Sequence, residues 1–504
     1  MDAIPLLASA IEDDYLISCA YDISALFAKN ILLKTDISLS KIIENIDDTQ
    51  IKEDYNRYLS DRLKLGLTTD KNEEDSLIHL INNQEDILRQ KLNNMGLLDF
   101  ADYSWKDIQS KMKNSDLAIE FLCFDNGYGQ FLSALLLKQE YNSPKLIKIC
   151  PTDILKDYCQ REQLDSLYLT IWEPIESELR NVKDVYFSPA GPIYNIPIEY
   201  LQNQEGVYMS ERYNIFRVSS TKKIINNRIT KSYNNSVLFG GLDYDYEKVE
   251  VQDIENNHHL SIDRGLRELL TNRNGFDKLL NTEEELVEIR KLLSQSNISC
   301  LTYTGINGSE EAFKKLSGKS LDIIHMSTHG MFIETDMIKE QEIANIFPFV
   351  KDDYSPIQYE NAALSRTFLV MSGGNMLSKH ETIPEGMEDG ILTAQEIAGL
   401  FFKGLDLVVL SACQTALGDI DNEGVYGLQR GFKKAGANTI LMSLGKVDDE
   451  ATKILIVEFY KNLINGKSKH QSLKDAQKYL RRVDNGKYDK PEYWASFIML
   501  DGLN

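Results

Sequence analysis

Two side chains in this sequence stand where a nucleophile and its base would be wanted. His329 follows the apolar run LDIIHMST and is followed by Gly330; Cys413 follows the apolar run LDLVVLSA. A thiol with an ordinary pKa of about 8.5 is only a few per cent thiolate at neutral pH. A neighbouring imidazole can take its proton and later return one to a leaving amine, which suits acyl transfer. Gly330 lets the backbone come close to a reacting carbonyl, so its N–H and that of Cys413 are expected to donate to an oxyanion. Taken singly, each residue has a plainer reading. A strand-end cysteine is ordinarily a small buried hydrophobe, and a lone histidine a hydrogen-bonding structural residue. His325 lies within its run and is expected to be a packed core residue.

These residues are positioned by the elements that the pattern implies. The runs LDIIHMS, LDLVVLS and NTILMSL are nearly continuously apolar, and each follows a helix-like stretch: SEEAFKKLSG, AQEIAGLFFKG and GLQRGFKKAG. That pattern predicts a mainly parallel sheet buried on both faces. Ligands of such sheets bind beyond the carboxyl ends of the strands, where His329 and Cys413 fall. Upstream, DLAIEFLCFD, LLLKQEYNSPKLIKICP and VKDVYFSPAGPIYNIPIEYL contain strands separated by helix-like sequence, which implies a second α/β unit. The first 110 residues carry helical spacing and predict two or three long helices with turns near Asp48 and Thr69. Residues 228–236 are expected to be a polar connector and 245–280 a surface loop.

Bulk composition narrows the function classes. At 504 residues the chain exceeds what one core fills, and about two or three packed units are expected. A formal charge of −22 repels phosphate backbones and argues against direct nucleic-acid binding. There is no apolar run of about 18 residues or more and no basic signal-like opening, so no membrane association and a cytoplasmic location are expected. Six cysteines without CxxC spacing predict free thiols, with Cys19, Cys123, Cys150, Cys159 and Cys300 structural. No HExxH or Cys/His cluster accompanies His258 and His259, so no metal is expected, and thiol–imidazole chemistry calls for no cofactor.

The segments HMSTHG and VVLSACQTALG, then EGVYGLQRGFKKAGANTILMSLGKVDDEATKILIVEFYKNL and YWASFIMLDG, resemble the CHAT domain family. These are caspase-like, separase-related cysteine peptidases often attached to tetratricopeptide repeats. EDGILTAQEIAGL, GGLDY and YFSPAGPIYNIPIEYL extend the likeness over roughly residues 112–502. The resemblance implies a caspase-like α/β fold, with a mainly parallel sheet flanked by helices and a pseudo-caspase half that lacks the catalytic pair. The implied division is a helical segment at 1–110 resembling the end of a repeat region, a pseudo-caspase half at 111–235 and a catalytic half at 236–504. In that family the His of STHG and the Cys of SACQT form the peptidase dyad, and these fall on His329 and Cys413.

The same likeness implies cleavage of specific partner proteins in a regulated bacterial defence or death-like pathway, with an activating protein as a partner. The alternative is a non-catalytic interaction scaffold. Gly445 stands where relatives usually have Trp, which leaves a roomier subsite. In caspase-like enzymes the loops between the dyad residues shape the peptide groove, and Asp389 falls near such a wall. Asp448 and Asp449 follow the next strand. They either face the crevice as an acidic pocket for Lys or Arg or cap the following helix. The peptide is expected to add to an edge near SLGKVDD.

Overall fold

The apolar runs read from the sequence assemble into one sheet in which two blocks of strands run in opposite directions. The computed structural model describes residues 3–28, 43, 46–67, 71–95, 103–225, 232–245, 275–333, 363–376, 388–421 and 424–503. In chain order the strands are β1 (Asp116–Asp125), β2 (Gln130–Leu137), β3 (Lys145–Pro151), β4 (Asp184–Ser188), β5 (Asn214–Arg217), β6 (Asn235–Leu242), β7 (Ser299–Gly305) and β8 (Ile323–Ser327). They continue with β9 (Gly330–Phe332), β10 (Thr367–Val370), β11 (Ile391–Thr393), β12 (Leu407–Ser411), β13 (Gly418–Asp421), β14 (Gly424–Gly427), β15 (Thr439–Ser443) and β16 (Phe497–Leu500).

Eleven of these form a sheet in the order β3-β2-β1-β4-β5-β16-β15-β12-β8-β6-β7. Strands β1, β4, β5 and β16 are mutually parallel. So are β15, β12, β8, β6 and β7. The two blocks meet at the antiparallel pair β15/β16, and β2 and β3 complete the first block as an antiparallel meander. The expected mainly parallel α/β sheet flanked by helices is therefore what the chain forms. The closing strand inside YWASFIMLDG supplies the joint between the blocks.

Burial on both faces explains the unbroken apolar runs. Ile324, Met326, Val408, Leu410, Ile440 and Met442 pack on one face with Phe313, Phe402 and Phe432. The alternate residues Ile323, Leu407, Val409 and Leu441 pack on the other, under the helices Asn281–Gln295 and Asp449–Ile464. Strands β9, β10 and β11 form a small antiparallel sheet that begins directly after His329.

In the first 110 residues the helix Thr49–Leu67 begins beside Asp48 and the helix Lys71–Asn94 follows; the turn expected near Thr69 lies outside the described residues. Ile51, Tyr55, Tyr58, Leu77, Ile81 and Leu88 form their shared core. The short helices Ala3–Ile11 and Asp14–Asp22 pack instead on the first block, where Ala8, Ile17 and Tyr21 meet Leu122, Phe124 and Leu135. Among the described residues no helix is long and apolar enough to cross a membrane. All six cysteines are free thiols.

Candidate active site

The site starts from strand register. β8 and β12 are parallel neighbours, and their last rung pairs Ser327 with Ser411. His329 and Cys413 each lie two residues beyond that rung, so the sheet delivers both to the same level on adjacent strands. The loops that carry them touch. A Cβ on Gly330 would stand 2.6 Å from the Cys413 carbonyl oxygen and 2.9 Å from Thr415 Cγ2, an approach open only to glycine.

Cys413, half-buried, heads a turn that is tied down on the β15 side. Gln414 adopts φ 55°, and its N–H donates to the Gly445 carbonyl at 3.1 Å. The Ala416 N–H donates to Ser443 O at 2.8 Å. Ser443 Oγ donates to Ala412 O at 2.6 Å, and the Ser443 N–H donates to Thr415 Oγ1 at 2.9 Å. A non-glycine residue in the left-handed region right after the candidate nucleophile is held there by these bonds.

His329 is fixed on several sides. Its ring packs against those of Tyr244 and Phe276, with centroids 5.2 and 5.5 Å away. Its Nε2 is 2.7 Å from the carbonyl oxygen of Asp277. A carbonyl only accepts, so Nε2 carries the proton and Nδ1 is the basic nitrogen. Thr328 Oγ1 spends its proton on Val370 O, so in its 2.9 Å contact with Tyr244 the tyrosine donates. The Tyr244 oxygen in turn accepts from the His329 backbone N–H. Burial pushes the Tyr244 hydroxyl up to about 12, against those two hydrogen bonds, and the charge of Asp449 adds to the rise.

The backbone of Gly330 is suitably turned. Val370 N–H donates to His329 O at 2.9 Å. The next rung, Leu369 with Gly330, is then one whose backbone groups point away from the partner strand. The Gly330 N–H is thus not spent on β10.

Of the residues expected at the site, the structure brings together His329, Gly330, Cys413 and Gly445. Gly445 is bonded to the Cys413 turn through its carbonyl, and among the described residues a Cβ there would meet Ser496 Oγ alone within 4 Å, at 3.5 Å. Asp448 is exposed and caps the helix Asp449–Ile464, accepting from the Ala451 N–H at 2.8 Å. Asp449 accepts from Asn281 N and Nδ2 at 3.1 and 2.9 Å. Asp389 is placed apart: it is 2% exposed, accepts from the Ile391 N–H, and sits with the buried Glu310 and Glu396 and the part-exposed Glu388 around Lys314. Burial first, then the Glu396 charge, pushes its carboxyl up to about 7.

The expected peptide-binding edge near SLGKVDD is corrected. β15 lies between β12 and β16 and has no free edge, and the Leu444 N–H is spent on Ser496 O. Most of the loop expected at 245–280, and residues 334–362 and 377–387 of the segment between the dyad positions, lie outside the described residues. Asp277, Phe276 and Asn375 were not anticipated at the site. Among the described residues no group of three or more His, Cys, Asp or Glu is placed to hold a metal.

Comparison with known families identifies the family of the chain. The CHAT domain model matches residues 161–502, more than half the chain. The chain belongs to the CHAT domain family. This CHAT-domain chain is 34% identical over 110 residues to tetratricopeptide repeat protein 28 of Mus musculus, covering 22% of the chain and 4% of the relative. Against the Homo sapiens protein of the same name, identity is 32% over 114 residues, covering 23% and 4%. The match thus spans only about 4% of the length of these curated relatives.

Among solved structures, the CHAT-domain chain is similar to the Arg-specific cysteine proteinase gingipain R, with a TM-score of 0.35, 9% identity and coverage of 68% of this chain and 67% of that one. It is also similar to the Saccharomyces cerevisiae separase–securin complex, with a TM-score of 0.40, 9% identity and coverage of 87% and 35%.

Proposed function

We propose that this CHAT-domain protein is a cysteine endopeptidase in which Cys413 is the nucleophile and His329 its base. The observation that carries the reading is the register: His329 and Cys413 each lie two residues beyond the paired strand ends Ser327 and Ser411, and His329 gives its Nε2–H to the Asp277 carbonyl. The Cys413 thiol passes its proton to Nδ1 as Sγ bonds to the substrate carbonyl carbon. The oxyanion accepts from the N–H groups of Gly330 and Cys413. The carbon–nitrogen bond then breaks, and the imidazolium returns the proton to the leaving amine. Water attacks the thioester, gives a proton to Nδ1, and the thiol is regenerated.

The subsite nearest the nucleophile is assigned to the space beside Gly445. A preference for Lys or Arg before the scissile bond is part of the same proposal. N-terminal proteomics of an extract incubated with the protein, and with its Cys413→Ala and His329→Ala forms, tests the reading. New termini that share one preceding residue and are missing from both variants are expected. Identical termini in all three samples, with natural binding partners supplied, would replace the peptidase with a non-catalytic interaction scaffold.

A further inference from the structure

Asn375, buried at 4% exposure, sits in the turn after β10 and has no part in the chemistry above. Its side-chain amide does to residue 276 what a neighbouring strand would do. The Phe276 N–H donates to Asn375 Oδ1 at 2.6 Å, and Asn375 Nδ2 donates to Phe276 O at 3.0 Å. Gly275 makes room for this: at φ +84° it has no side chain, and a Cβ there would stand 3.0 Å from Asn375 Oδ1. The other bonds of Asn375 reach a second segment. Its backbone N–H donates to Tyr244 O at 3.0 Å, and Nδ2 also donates to Asp245 Oδ1 at 2.9 Å.

These bonds converge on one imidazole. Phe276 and Tyr244 are the rings packed against His329, and the residue after Phe276 supplies the carbonyl that holds Nε2–H. A histidine whose Nε2 partner is slack can change tautomer or rotate its ring, and the proton-accepting role proposed for Nδ1 is then lost.

We infer that Asn375 is a positioning residue for His329, fixing the Asp277 carbonyl and both flanking rings so that the imidazole is held as its Nε2–H tautomer. The inference rests on the dyad reading of the preceding subsection. It assigns to the turn after β10 a role in the reactivity of Cys413, with no contact to substrate.

The test follows alkylation of Cys413 by iodoacetamide against pH, resolved by peptide mass spectrometry so that the other five cysteines serve as internal references. The proteins compared are wild type, His329→Ala, Asn375→Ala and Gly275→Ala. The last attacks the same clamp from its other side, so that one variant failing to fold does not remove the test. Thermal unfolding identifies the folded variants, and 15N-histidine spectra report the His329 tautomer.

With the clamp removed, Cys413 reactivity near pH 6.5 is expected to fall about tenfold toward that of His329→Ala, as the imidazole no longer takes the thiol proton. The Nε2–H signature is expected to give way to a tautomer mixture. Folded clamp variants whose profile and spectra match wild type, while His329→Ala differs, would overturn the inference and leave the dyad standing. A His329→Ala profile identical to wild type would remove the dyad, and the positioning role with it.

Discussion

The carbonyl oxygen of Cys413 lies 2.6 Å from the point that a Cβ on Gly330 would occupy. The loop that follows His329 and the loop that carries Cys413 therefore meet closely, and neither can give way alone. Gly330 is tied to β10 through the start of β9, and the Cys413 turn is tied to Ser443 and Gly445.

Gly330→Ala is thus expected to separate the two loops by a fraction of an ångström to about 1 Å. Misplacement on that scale costs roughly 100-fold in rate. Peptide cleavage by the variant should fall by about that factor, while its melting temperature stays within a few degrees of wild type. A variant that cleaves at the wild-type rate would show that the contact does not set the catalytic geometry.

Beneath the same strand ends, one carboxylate ties β8 to β12. Ser327 Oγ and Ser411 Oγ donate to Glu285 Oε2 at 3.3 and 3.2 Å, and His325 Nε2 lies 3.1 Å from Glu285 Oε1. His325 Nδ1 is 3.4 Å from the Tyr460 hydroxyl, and both His325 and Glu285 are almost fully buried. Glu285→Leu would strip the acceptor from the two serine hydroxyls and take away the carboxylate beside His325 Nε2. Breaking such a cluster costs about 3–5 kcal/mol, whereas Glu285→Gln keeps an acceptor and costs about 1 kcal/mol. Denaturant unfolding of the two variants should rank them in that order, with faster amide exchange at Ile323–Ser327 and Leu407–Ser411 in the leucine form. Equal stabilities would mean that the cluster does not hold the strands.

What the sequence disclosed follows from physical cause. β8, β12 and β15 are buried on both faces, so their runs are apolar without alternation and stand out from the charged sequence around them. Polar residues just past such runs mark the strand ends, which exposed His329, Gly330 and Cys413. A backbone carbonyl has no residue-type signature, so Asp277, inside a polar stretch, gave no sign of its role. Asn375 acts through an amide that any surface turn could contain. Glu285 did leave a trace: Thr282, Glu285, Ile289 and Leu293 share one helical face and are all buried, which marks an inward carboxylate needing a partner. Asp389 misled because acids in loops are ordinarily exposed. Its burial against Glu310, Glu396 and Lys314 depends on contacts distant in sequence.

The burial of Asp389 gives a pH dependence with a definite sign. Its carboxyl is pushed from 3.8 to about 7, chiefly by burial and then by Glu396, with Glu388 adding to the rise and Lys314 opposing it. Between those values the folded state holds more protons than the unfolded state. Stability from this group therefore falls as pH rises from about 4 through 7 and is flat beyond. Asp389→Asn can keep the acceptor for the Ile391 N–H and lacks the charge. The variant should match wild type near pH 4 and exceed it at pH 8, by at most about 1.4 kcal/mol for each tenfold difference in proton affinity between the folded and unfolded chain. Denaturant unfolding at pH 4.5, 6 and 8 checks this, and a difference between the two proteins that does not grow with pH would exclude the effect.

Gly445 offers the cleanest separation of specificity from catalysis. Its carbonyl holds the Gln414 N–H, a bond that any residue can make, and among the described residues Ser496 Oγ, at 3.5 Å, is the one atom within 4 Å of a Cβ placed there. Gly445→Trp can thus keep the nucleophile turn while placing an indole, a wall of about 200 Å², beside the proposed subsite. Cys413 alkylation and its pH profile should be unchanged, because neither His329 nor its Asp277 partner is touched. Cleavage should shift instead: KM rises about tenfold or more for peptides with a bulky residue before the scissile bond, with kcat changed less than about threefold, and small residues gain in the N-terminal proteome. Loss of alkylation would mean that Gly445 supports the nucleophile itself. An unaltered cleavage pattern with unaltered alkylation would move the subsite away from β15.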